Sequence, residues 1–408
     1  MSFHKSLKEK SVVYWHIREW YVRLLIFLKT CFDKPVKTKK RILFYYVYAL
    51  AYGGTSSLIQ ILAKHLNKEE FEVFIMYSGK VDKDVGQSIA GDSRKKFVSE
   101  TGINFIPFDY DYIEKTLPYF IRGHNPRLED VIKTFKIDVL VATGAGHAEH
   151  PFSAIKSLPI IFLNIFGQSN VQKNITHHLC ISEAVANKLS PVIPKEKVKV
   201  IYVPSEGPIN QFQEGLAIRK RFGIKDSDLV FGRIGRASDW IFDPIGILAF
   251  ENLVKKYPHC HYLIVAPPPE LIKIQKAKQI PNVHFLEELG TKEELWAFYF
   301  ALDVYAHFRK DGESFGLNIV EAMFKGMPVI SHKSTIWNAH LEYLDPSFAF
   351  VADVDNVGQY EQFMEFFVKD TNRVHIKTMG EKAKEKAQKF HIKNHIGVFE
   401  GFIEEALK

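Results

Sequence analysis

Twice in this chain of 408 residues an apolar run of strand length passes through glycine into a helix, and that repeated unit limits the possible folds more than any other feature. The first runs from residues 42–47 (Ile-Leu-Phe-Tyr-Tyr-Val) through Gly53-Gly54-Thr55-Ser56 into a helix predicted over 57–66, with a second strand over 72–77. The other is 229–234, closing on Gly232-Arg233-Ile234-Gly235-Arg236, with a helix predicted over 244–255. Strand, glycine turn and crossover helix build a parallel sheet, so each half reads as an α/β domain. A hydrophobic content of 46% can fill two such cores, and the length suits two domains. The polar, turn-rich residues 204–213 are the expected linker. The chain thus divides into an arm (1–41), a first domain (42–205), a second domain (206–385) and a terminal helical segment (386–408). The predicted helix over 393–407 carries Ile396, Val398, Phe399, Phe402, Ile403 and Leu407 and must pack on something; internal repeats are absent.

The second domain holds the most informative stretch, Asp311-Gly312-Glu313-Ser314-Phe315-Gly316-Leu317-Asn318-Ile319-Val320-Glu321-Ala322-Met323-Phe324-Lys325-Gly326-Met327-Pro328-Val329-Ile330. It reads as loop, helix over 319–324, stop at Gly326 and Pro328, then strand. A helix that starts after glycine leaves backbone N–H groups unpaired, here those of Phe315, Gly316, Leu317 and Asn318, and its dipole favours an anion there. Glu313 precedes the helix and Glu321 lies about a turn and a half inside it, so they reach opposite ends of one ligand. A phosphate centre with hydroxyls on both sides fits that arrangement. On spacing alone, two glutamates eight apart also describe a solvated helix face.

Glu-x(7)-Glu with Phe-Gly between, followed by Ala-Met and Gly-x-Pro-Val-Ile, resembles the donor-site signature of the retaining glycosyltransferases of family 4. That likeness covers nearly all of residues 42–405 and implies a GT-B-type fold, two facing Rossmann-like domains with a cleft between them. It implies that Glu313 contacts the transferred sugar, that the amides of 315–318 bind a diphosphate, and that Glu321 binds ribose hydroxyls. Gly53 and Gly54 are similar to the family's first-domain glycine loop, with Thr55-Ser56 where Ala-Glu is common. After a predicted helix over 126–135 and strand over 137–142, His147 stands where the family often has a histidine in the catalytic cleft. His150 competes with it, and an exposed or capping histidine is the plainer alternative. Arg236 matches the family's phosphate-binding arginine, with Arg233 as the second choice. The family's lysine five positions on falls here on Ile241, and Arg309, Lys310 or Arg233 would have to supply its charge. The 334–340 loop also departs from the family's Gly-Gly-x-x-Glu. The terminal helix of the family crosses back onto the first domain.

The charge is unevenly placed. Residues 1–41 hold eleven Lys or Arg and three Asp or Glu, a net +8, which leaves −1 for the other 367 residues. A neutral body argues against nucleic acid as a partner. The stretch 12–29, aromatic and apolar with charges at helical spacing, reads as an amphipathic helix flanked by lysines. Residues 5–41 suit a membrane surface, anionic lipid adding about 1 kcal/mol per basic residue, or else a protein contact such as a dimer interface. No run is long and uncharged enough to span a bilayer, and no cleavable secretory signal is found. Cys31, Cys180 and Cys260 are scattered, as expected of reduced thiols, and adjacent His177 and His178 lack metal-ligand spacing.

What the resemblance implies is a metal-independent transferase without a cofactor, moving a sugar from a nucleotide-diphosphate sugar to an acceptor hydroxyl with retention of configuration. The membrane-seeking arm points to a lipid-linked or cell-surface glycan acceptor and to a cytoplasmic protein peripheral on the inner face of the membrane. An epimerase on the same architecture, or a membrane-associated binding or assembly protein with a decayed site, are the alternatives.

Overall fold

The computed structural model describes residues 39–46, 50, 53–78, 101–108, 126–144, 154–370 and 373–408. The predicted amphipathic helix of the arm, His147 and His150 lie outside the described residues, as does Val47.

Two parallel sheets carry the molecule. The first has strands β1 (Lys40–Tyr46), β2 (Phe71–Ser78), β3 (Asn104–Phe108), β4 (Val139–Gly144), β5 (Ile160–Asn164), β6 (Ile175–Cys180) and β7 (Val198–Val200), in the order β3-β2-β1-β4-β5-β6-β7. The second has β8 (Leu229–Ile234), β9 (Cys260–Val265), β10 (Val283–Leu286), β11 (Val304–Ala306), β13 (Val329–His332) and β15 (Ala349–Ala352), in the order β10-β9-β8-β11-β13-β15. The short pair β12 (Gly312–Glu313) and β14 (Trp337–Asn338) lies apart from both. Every pairing is parallel. Helices on both faces explain why strands such as β5 and β9 are buried at every position and are apolar except for Asn164 and His261.

Both orders reverse direction once, between β1 and β4 and between β8 and β11. In an open α/β sheet the ligand crevice forms at that reversal, outside the carboxyl ends of the strands. The helix α1 (Gly54–His65) follows β1, and α2 (Ile245–Lys256) follows β8. Next come α3 (Lys292–Phe300) and α4 (Leu317–Lys325), which sits between β11 and β13. After β15 come α5 (Val357–Val368), α6 (Val374–Ala387) and α7 (Ile396–Ala406).

Several boundaries shift from the sequence reading. The first helix begins three residues early, at Gly54, and α4 extends two residues before and one after the predicted 319–324. Part of the stretch read as linker is helical, since a helix starts at Phe212 and runs to Arg221. The chain passes between the domains there and again near residue 390. The two crossings bond each other, Ser205 N–H to the Phe390 carbonyl at 2.9 Å and Ile392 N–H to the Ser205 carbonyl at 2.9 Å. Beyond them α7 lies on the first sheet, with Phe399 6.1 Å from Phe44 between ring centres and Glu405 3.0 Å from His177 Nε2.

Candidate active site

A cleft of about 530 Å3 opens between the carboxyl ends of the two sheets. Gly53, Gly54, Arg236, Glu313, Phe315, Gly316, Leu317, Asn318 and Glu321, widely separated in sequence, all line it. Two helix starts meet there, α1 behind Gly53 and α4 behind Gly316, and neither glycine cap offers a side chain to the exposed N–H groups. Gly316 sits at φ 93°, a left-handed conformation that a side chain would strain. The first intrahelical bond of α4 is Ile319 N–H to the Gly316 carbonyl, so the N–H groups of Leu317 and Asn318 precede it and have no acceptor within the helix. The Asn318 side chain is already engaged: its Nδ2 donates to the Ile234 carbonyl at 3.0 Å, pinning α4 to the end of β8.

The two glutamates have opposite surroundings. Burial raises the Glu313 carboxyl, but Arg309 and then His307 outweigh it and hold the group at about 2. His307 Nε2 is 3.2 Å from Glu313 Oε1, and Arg309 Nη1 is 3.8 Å from Oε2. Glu321 has no such cations in contact. Burial lifts it to about 7, opposed by the hydroxyl of Tyr299 at 3.0 Å and by the charge of Lys292.

The cleft carries few cations. Ile241 is buried in the short turn Asp239–Ile241, so no cation stands at the missing lysine. Among the described lining residues the cations are Arg236 and Arg309. Arg236 is exposed and its guanidinium has no protein partner among the described residues. Arg309 is already held by Asp311, with Nε to Oδ1 at 2.6 Å and Nη2 to Oδ2 at 2.9 Å, so its charge is partly spent. Arg233, the second choice, is turned inward at 1% exposure, its guanidinium 4.8 Å from the Phe308 ring. It does not line the cleft, and neither does Lys310.

Sequence reasoning missed His307, Tyr299 and Tyr343. His307 directly follows β11 (Val304–Ala306) and so stands at a carboxyl end of the second sheet shortly before the Glu313 to Glu321 stretch, a usable signal. Tyr299 and Tyr343 reach the site only through tertiary packing.

Fold and site together define a GT-B architecture, two Rossmann-like domains facing each other across a cleft. Residues 217–390 match the family model described as glycosyl transferases group 1. In structure the chain is similar to Alr3699/HepE of Anabaena in complex with UDP and glucose, with a TM-score of 0.68, 17% identity, and 89% of this chain and 99% of that one covered. A glycosyltransferase from Rickettsia africae is alike at a TM-score of 0.68 and 15% identity, covering 90% of this chain and 99% of the other. Sucrose-phosphate synthase from Thermosynechococcus elongatus follows at a TM-score of 0.65 and 12% identity, covering 90% and 99%. No curated protein matches the chain in sequence. Among the described residues no helix is long and apolar enough to cross a membrane.

Proposed function

We propose that this protein is a retaining glycosyltransferase that moves a sugar from a nucleotide-diphosphate sugar to an acceptor hydroxyl. One observation carries the reading: the uncapped start of α4, with Glu313 on one side and Glu321 on the other, lines the cleft at the switch point of the second sheet. The acceptor oxygen bonds to the anomeric carbon as the bond from that carbon to the diphosphate oxygen breaks, the acceptor's proton passes to the departing diphosphate, and the negative charge that develops on the leaving group falls on the amides around Gly316 and Leu317 and on Arg236. Arg309 adds what Asp311 leaves it. Those groups take the part a divalent ion would play, so activity should survive chelation by EDTA.

A carboxyl held at about 2 is ionised at neutral pH, so Glu313 accepts hydrogen bonds from sugar hydroxyls and has no proton to give. Glu321 accepts from the ribose, Gly53 and Gly54 let the backbone of the first domain approach the donor, and His147 holds the sugar. The acceptor is a lipid-linked or cell-surface glycan, reached from the cytoplasmic side of a membrane through residues 5–41; the support here is the basic aromatic sequence of the arm. The HepE structures hold UDP with glucose, and UDP-glucose, which makes uridine donors the first to test.

The deciding experiment incubates the protein with UDP-, GDP- and ADP-sugars without acceptor and follows release of nucleoside diphosphate and the anomer of the freed sugar. Slow hydrolysis of one donor with the anomer retained is expected. The absent lysine at Ile241 favours one other reading, a binding or assembly protein on a decayed site. Calorimetric binding of a nucleotide-sugar without any turnover would select it, and failure of every donor to bind would end both.

A further inference from the structure

Tyr343 lies just past the loop where the sequence leaves the family pattern, and it is 2% exposed. Its hydroxyl donates to the carbonyl of Phe315 at 2.6 Å, with the Gly316 carbonyl at 3.1 Å. The Gly316 oxygen already accepts from Ile319 and Val320 N–H at 3.0 and 3.2 Å, so the shorter contact to Phe315 is the one Tyr343 supplies uniquely. Burial pushes the phenol well above its ordinary range, which keeps it protonated and a donor at any working pH. Its ring is fixed between Phe315, at 5.6 Å, and Phe390, at 5.1 Å.

A planar trans peptide points its C=O and its N–H in opposite directions. A donor that holds the Phe315 carbonyl on one side therefore aims the Gly316 N–H to the other, and Gly316 lines the cleft. Glycine is needed at 316 for its left-handed backbone, and the same freedom would let the 315–316 peptide rotate and withdraw its N–H. We propose that Tyr343 is a positioning residue that locks the 315–316 peptide plane in the orientation that receives the donor's diphosphate. Space around it is matched to the absence of a side chain, since a Cβ on Gly316 would come 2.8 Å from the Tyr343 hydroxyl oxygen.

This inference rests on the donor-site reading above, and the test separates the two. Wild type and Tyr343→Phe, which keeps the ring and removes only the hydroxyl, are titrated by calorimetry with UDP, GDP and ADP and with the matching nucleosides. The expected result is about a tenfold loss of nucleoside diphosphate affinity in the variant, nucleoside affinity unchanged, and melting temperature within a few degrees of wild type. Equal diphosphate affinity in the two proteins overturns the role of Tyr343 and leaves the donor site standing. Equal losses for diphosphate and nucleoside overturn it as well, by marking a general structural effect. A wild-type protein that binds none of the three diphosphates overturns the donor site and this role with it.

Discussion

At the scale of single residues the two glutamates differ in what surrounds them. Glu313 has Arg309 and His307 beside it, whereas Glu321 has a tyrosine hydroxyl. The Tyr299 hydroxyl lies 3.0 Å from both the Glu321 carboxylate and the Asn318 carbonyl and has one proton for the two. When Glu321 is protonated it donates to Tyr299, which then serves Asn318; when ionised it accepts. A ribose diol needs the ionised form, and that form is disfavoured in the free protein below its raised value of about 7. Donor affinity should therefore rise with pH up to about 7 and level off above it, by up to tenfold per pH unit on the acid side. Glu321→Gln should bind roughly tenfold more weakly at pH 8 and lose the pH dependence, as read by calorimetry with a nucleoside diphosphate. Glu313→Gln behaves differently. Its carboxyl stays ionised down to about 2, so it adds no slope between pH 5 and 8, and its loss should lower donor hydrolysis by about 100-fold while leaving nucleoside diphosphate affinity within a few-fold. The spacing of the two carboxylates could be read in the sequence; their opposite electrostatics could not, because His307 and Tyr299 arrive from other elements.

At the scale of elements, strands were legible where they are buried, as with the 42–46 stretch of β1, because continuous apolar runs identify themselves. Packing by small residues left less trace. The helix α6 went unread: its buried residues are Met379, Gly380, Ala383 and Ala387, and a Cβ on Gly380 would meet the Gly326 carbonyl at 2.1 Å. It packs by close backbone approach to the end of α4, which hydropathy periodicity does not report. The connecting stretch after β7 was legible as polar, but the destination of its charge was not. Glu206 accepts from Lys64 at 2.7 Å and His65 at 2.8 Å on α1, and from Lys292 at the start of α3, so one carboxylate joins both domains behind the cleft. Burial raises this carboxyl, yet His65, Lys292 and Lys64 hold it well below the ordinary range. A depressed folded-state value means the contribution is full above the unfolded value, near 4.5, and is lost as pH falls below it. Glu206→Ala should cost about 1–3 kcal/mol at pH 7, nearly as much at pH 4, and much less near pH 2, measured by urea unfolding at pH 7 and near pH 2. An equal cost at both pH values would show that the contact is packing and not charge.

At the scale of the whole molecule the two sheets meet through the ends where each reverses its strand order, so a cleft at that meeting follows from topology before any side chain is considered. The same topology makes the domains mechanically dependent. The chain crosses at Ser205, returns at Phe390 and Ile392, and spends its last helix on the first sheet, where Phe399 and Ile403 are fully buried. Asn67 N–H donates to Glu400 at 2.7 Å, and the His177 ring lies 5.2 Å from that of Phe402, so α7 holds the far side of the first domain by polar and apolar contacts together. Truncating Phe399 to alanine opens a cavity between α7 and β1, for which about 3–5 kcal/mol is the expected loss. The lesion lies near the C-terminus of the chain, yet the weakened body is the one built from the N-terminal half. Limited proteolysis of Phe399→Ala should therefore cut within residues 154–200 before it cuts within 229–352, whereas a helix that merely extended the second domain would give the reverse order. The same variant should also bind nucleoside diphosphate with near wild-type affinity at temperatures where it remains folded, since the groups proposed to hold the diphosphate belong to the second domain.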